Sequence, residues 1–223
     1  MSYQRLAGIG GIVFVVLGLI LSIIPIIASF PSNDAPIQEI SAYYENNKDT
    51  TKAVVSVALV VWPALLLFVS GVFLIVRPME QQRQEAWSVL ALLGIAVQSA
   101  VFIVVIGTNA AFVLRADTIV ANAGATEALW GLQRAALSID GAGVGVALVG
   151  LAMSTFRAGV APKWHSVGGV IGGVLLLVGS IAVNAAPEDW PVSIIPLAGF
   201  ILWLLWILIM GIRMVIRPNL ARL

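Results

Sequence analysis

The chain contains no cysteine. That excludes disulfides, thiolate metal sites, iron–sulfur clusters and thiol nucleophiles. It has one histidine, His165, so a histidine cage for a metal and paired-histidine haem ligation are excluded as well. Charge is scarce. Charged residues make up 10% of the 223 positions, against about 25% in soluble domains. So few charges cannot cover a water-soluble globule. The sequence is instead 60% hydrophobic, with a mean hydropathy of +1.03. It reads as a single all-α transmembrane domain over 1–223, with no attached soluble domain.

A spanning helix needs about 20 apolar residues. Six segments qualify: 6–28, 53–76, 86–114, 127–156, 165–185 and 191–216. The first follows a lone Arg5 and is longer than a signal-peptide core of about 7–15 residues, so it reads as a retained span. Local chemistry predicts the ends. Arg77-Pro78 and Arg217-Pro218 close the second and sixth spans, because proline cannot continue a helix. Thr126-Glu127 suits an N-cap with an acid in the first turn of the fourth span. Trp87, Trp130, Trp164 and Trp190 stand at span starts, where indoles form interfacial belts. Trp62-Pro63 places a kink within the second span.

The basic residues choose an orientation. With both termini cytoplasmic, the inner side collects Arg5, Arg77, Arg83, Arg157, Lys163, Arg213, Arg217 and Arg222. The outer side holds Lys48, Lys52, Arg115 and Arg134. Eight against four follows the positive-inside rule.

The outer loop, 29–52, carries its own helical signal. Asp34 can cap a helix with Pro36 in its first turn, and Ile37, Ile40 and Tyr44 then recur at i, i+3 and i+7. Such a stripe suits an interfacial helix resting on the bundle, or a lid over an outward pocket. The segment "IQEISAYYENNKDTTKA", with the closing "NAAPEDWPVSIIPLAGFILWLLWILIMGIRMVIRP", resembles actinobacterial six-span integral membrane proteins of unassigned function. The resemblance implies six spans and a bacterial plasma membrane, and it carries no catalytic residue across. The shorter echo between "GVFLIVRP" and "GIRMVIRP" reads as two stop signals of one kind rather than a duplicated half.

Polar groups inside the apolar spans mark a candidate site. Asp140 lies about 24 Å from the inner end of a straight fourth helix, so it falls in the outer leaflet. Gln133, Ala136, Gly143, Val144 and Ala147 share its face, and small residues there let a neighbour approach closely. Asp140 therefore points into the bundle. Arg134 lies on another face, in line with Glu127 and Ser138. Asn109 from the third span and Asn184 from the fifth are expected at the height of Asp140, with Gln98 deeper. Asp140, Asn109, Asn184 and Gln133 thus make a candidate polar pocket facing outward. Gly141-x-x-x-Gly145, Gly168-x-x-x-Gly172 and Gly169-x-x-x-Gly173 predict close-packing helix faces, which could serve neighbours in the bundle, a second copy or a protein partner. Trp203 and Trp206 read as core packing.

No reaction follows from these residues. A hydrolase needs a nucleophile with a base in reach, and His165 falls at the opposite interface from Asp140. The "GAGVG" run follows no strand and is no nucleotide loop. The expected protein is not an enzyme, uses no cofactor or metal, and binds lipid rather than nucleic acid. It is a structural, accessory or ligand-binding membrane subunit. The alternative is a small-solute or proton-coupled transporter using Asp140, which needs a continuous polar path inward. Below that residue only Gln98, Ser99 and Ser180 are polar, which favours a dead-end pocket.

Overall fold

The computed structural model describes residues 1–32, 34–185, 194–217 and 220, without the side chains of 25, 26, 117 and 183–185. The described residues are 88% helical, with no strand. Eight helices follow in order: α1 (Tyr3–Ile27), α2 (Ile37–Asn46), α3 (Lys48–Arg83), α4 (Trp87–Leu114), α5 (Ala116–Ile119), α6 (Ala123–Arg157), α7 (Lys163–Ala185) and α8 (Ile194–Ile216). Six of them (α1, α3, α4, α6, α7 and α8) are long and apolar enough to cross a membrane.

The six long helices form a ring. Each packs against the next, and α8 returns to pack against α1. Lipid offers no hydrophobic drive between helices, so close van der Waals fit and hydrogen bonds must hold the ring. Glycines provide the fit. On the α4–α6 seam a Cβ at Gly150 would stand 2.6 Å from the Ala91 nitrogen, and one at Gly94 would stand 2.6 Å from the Ala147 nitrogen. Gly145 of α6 and Gly173 of α7 approach each other's carbonyls in the same way. The small-residue faces read from the sequence are thus occupied within the chain, except at Gly168, which meets nothing within 4 Å.

The helix ends depart from several expectations. α3 does not stop at Arg77-Pro78. It runs through both Pro63 and Pro78 to Arg83, because Pro78 sits where its missing N–H costs one bond, not the whole helix. The stop comes at Gln84, in the left-handed region at φ 55°, where the Glu85 amide donates back to the Glu80 carbonyl. The extra turn places buried Glu80 against α4, where it accepts from the Ser88 amide at 2.8 Å and also from the Ser88 hydroxyl.

α6 begins four residues earlier than a cap at Thr126 would have it. Asn122 is the cap, its side chain accepting from the Ala125 amide, while the Thr126 hydroxyl donates to the Ile119 carbonyl. Asp34 does not cap α2 either. Pro36 is its extended N-cap, and Asp34 faces the Ser32 hydroxyl, which holds the carboxyl below the usual range. Among the tryptophans placed at the interface, Trp164 is exposed but Trp130 is buried two turns into α6. Trp190 lies outside the described residues.

The ring is not filled evenly. The half nearer the chain termini is packed solid by residues such as Val72, Val76, Leu148, Leu151, Ile207, Met210 and Met214. There Trp206 stacks on His165 at 4.9 Å, and the imidazole Nε2 meets the Trp206 carbonyl at 3.1 Å. The other half, beneath α2, holds a cavity.

Candidate functional site

The cavity has a volume of about 460 Å³. Its walls come from α1, α3, α4, α6, α7 and α8, and Tyr43 of α2 and Phe30 of the loop before it also line it. The lining is chiefly aliphatic and aromatic. Its polar side chains include Gln98 and Asn109 from α4, Gln133 and Asp140 from α6, and Ser22 and Thr51. Such a composition, apolar with a few placed polar groups, is that of ligand pockets generally.

Two polar levels stand in it. The upper one is organised by Tyr44 of α2, whose hydroxyl lies 3.1 Å from Asn109 Oδ1 and 3.0 Å from Gln133 Oε1. A phenol has one hydrogen to give. Asn109 Nδ2 already donates to the Val105 carbonyl at 3.0 Å, so its Oδ1 takes that hydrogen. A 180° turn of the Gln133 amide, which exchanges Oε1 for Nε2 in the same place, would let it donate to the hydroxyl oxygen. Burial pushes the Tyr44 phenol well above its ordinary range, so it stays protonated. Tyr44 also stacks on Phe112 at 3.9 Å, and with Ile40 and Trp130 it anchors α2 on the bundle.

Arg134 secures the loop before α2. Its Nη2 donates to the Pro31 carbonyl at 2.9 Å, and the guanidinium lies 4.4 Å from the Trp130 ring centroid and 5.2 Å from that of Phe30. It is turned to this aromatic group, and no ion pair among the described residues joins it to Glu127.

The lower level is Asp140. Its Oδ1 is buried with no hydrogen-bond partner among the described residues, and it belongs to none of their ion pairs. Gln98 is its polar neighbour, with Oε1 likewise unpartnered. Ser99, which could have continued a polar path, instead accepts from Trp62 Nε1 at 2.8 Å.

The expected set is therefore divided. Asn109 and Gln133 meet through Tyr44, while Asp140 lies seven residues along α6, about 10 Å deeper, beside Gln98. The α4–α6 register explains why. The contacts Gly94 to Ala147, Gln98 to Gly143 and Ala91 to Gly150 set Asn109 opposite Gln133, above the level of Asp140. Counting up each helix alone cannot reveal that offset. α7 extends past Asn184, but its side chain lies outside the described residues. Tyr44's hydroxyl and the wall aromatics were not anticipated. The only sequence signal for Tyr44 was its place on the apolar stripe of α2. Comparison of the chain with protein-family models, with curated proteins and with solved structures finds no match.

Proposed function

We propose that this multi-pass membrane protein is a binding subunit, holding a small amphiphilic or apolar molecule in the cavity under α2. The observation that carries the reading is the unequal filling of the ring. A cavity of ligand size stands in one half, and the other half is closed by packed side chains. The bacterial plasma membrane follows from the resemblance of the outer loop, and the excess of basic residues at the termini end supports a cavity facing outward. The transport alternative would need a polar way through the termini half. The residues that fill that half, Ile207, Met210 and Met214 among them, favour a dead end.

The test is to fill the space. Ala58 lines the cavity and is 3% exposed, so Ala58→Phe places a ring inside it. Native-lipid discs of the wild-type protein should carry a small molecule detectable by mass spectrometry. The variant should lose that molecule while keeping its melting temperature. The same mass spectrum from both proteins would end the reading.

A further inference from the structure

We infer that the occupant of this cavity is a lipophilic organic cation, with its charge held by Asp140. The inference rests on the binding reading above and names the ligand class.

Among the described residues, Asp140 is the one charged side chain in the lining. The described residues of α1, α3, α4, α7 and α8 contribute none, and the one other titratable group among them in the lining is the phenol of Tyr43. The nearest basic residue along α6, Arg134, is committed to Pro31, Trp130 and Phe30. A carboxylate met only by the Gln98 amide in otherwise apolar surroundings is costly, and a counter-charge or a proton must relieve it. No basic side chain among the described residues supplies that counter-charge, so the cavity selects against anions and leaves the place open to a cation brought by the ligand.

The walls decide which kind of cation. Phe14, Tyr43, Trp62, Phe102, Phe200 and Trp203 line the same space. Aromatic faces attract a desolvated organic cation and hold its apolar groups by contact. A bare metal ion fits poorly, since calcium takes 6–8 oxygen ligands and Asp140 with Gln98 offers few. The volume of about 460 Å³ also suits an organic molecule better than an ion with its shell of water.

The experiment uses the full chain in discs of zwitterionic lipid, so that membrane charge does not concentrate the probe. Tetraphenylphosphonium is the cation and triphenylphosphine oxide the neutral aromatic control. Both are titrated by calorimetry against wild type, Asp140→Asn and Ala58→Phe. The cation should bind wild type at least tenfold more tightly than Asp140→Asn, and acidification should weaken it in wild type. The neutral compound should respond to neither change, and Ala58→Phe should abolish both. If Asp140→Asn does not fold, the pH competition in wild type decides. Cation binding indifferent to Asp140 and to pH overturns the inference, while binding of either compound that Ala58→Phe removes keeps the cavity reading. Failure of both compounds to bind wild type overturns the two together.

Discussion

Tyr44 shows how much one hydroxyl can organise. It is 1% exposed and links α2 to α4 and α6 through Asn109 and Gln133. Tyr44→Phe keeps the stack on Phe112 but strands the buried Gln133 amide, which should cost about 1–3 kcal/mol. Adding Gln133→Leu should recover part of that loss, because Asn109 Oδ1 is then the one amide group left without the hydroxyl. Thermal unfolding of the single and double variants measures the coupling. Glu85 gives a second prediction, in the connection between α3 and α4. Hydrogen bonds from Arg157 hold its carboxyl below the usual range. A lowered folded value means the pair stabilises the fold fully above the unfolded pKa of about 4.3, and the contribution is lost as pH falls through the folded value. Glu85→Gln should therefore melt below wild type near neutral pH. The two curves should converge in acid, and a gap that persists at the lowest pH would contradict the assignment.

At the scale of the helix, glycine position decides the sign of a substitution. A methyl at Gly150 would press on the backbone of α4, at Ala91 and Trp87, and neither can yield without moving the helix. Gly150→Ala should cost about 1–3 kcal/mol through overpacking. Gly131 lies on the same helix with nothing within 4 Å, so Gly131→Ala should stabilise by up to about 1 kcal/mol from helix propensity alone. Melting temperatures of the two variants should move in opposite directions. The same contacts explain what was readable beforehand. Six spans could be read because length and apolarity suffice to define each one separately. The inward face of Asp140 was visible for a similar reason, since Gly143, Val144 and Ala147 mark that side of α6 within one helix. The partner of Asn109 was not visible, because register between helices depends on two backbones meeting at Gly94 and Gly143. Pro78 misled for a related reason. A proline near a helix end removes one bond, and whether the helix goes on depends on what the next turn touches, here Ser88 through Glu80.

The whole molecule places α2 at one end and the termini, the α3–α4 connection and the α6–α7 connection at the other. The absence of native cysteine makes that arrangement directly measurable. With the basic residues inside, a cysteine at Glu45 should react with an impermeant thiol reagent on intact cells, and cysteines at Gln82 or Lys163 should react only after lysis. The reverse pattern would invert the orientation, and a mixture would break the ring.

The seam between α1 and α8 has a consequence for the order of assembly. Gly8 and Gly211 meet there backbone to backbone, and Gln4 Nε2 donates to the Met214 carbonyl at 3.0 Å. The other main helix pairs join spans that follow one another in the chain, so each can form as soon as the second helix leaves the ribosome. The α1–α8 pair must wait for almost the entire chain. Until then the wall is missing one stave, and the space that becomes the cavity is open sideways to the bilayer. Acyl chains of the surrounding lipid would be its first tenants, and the arrival of the last helix would decide what is shut inside.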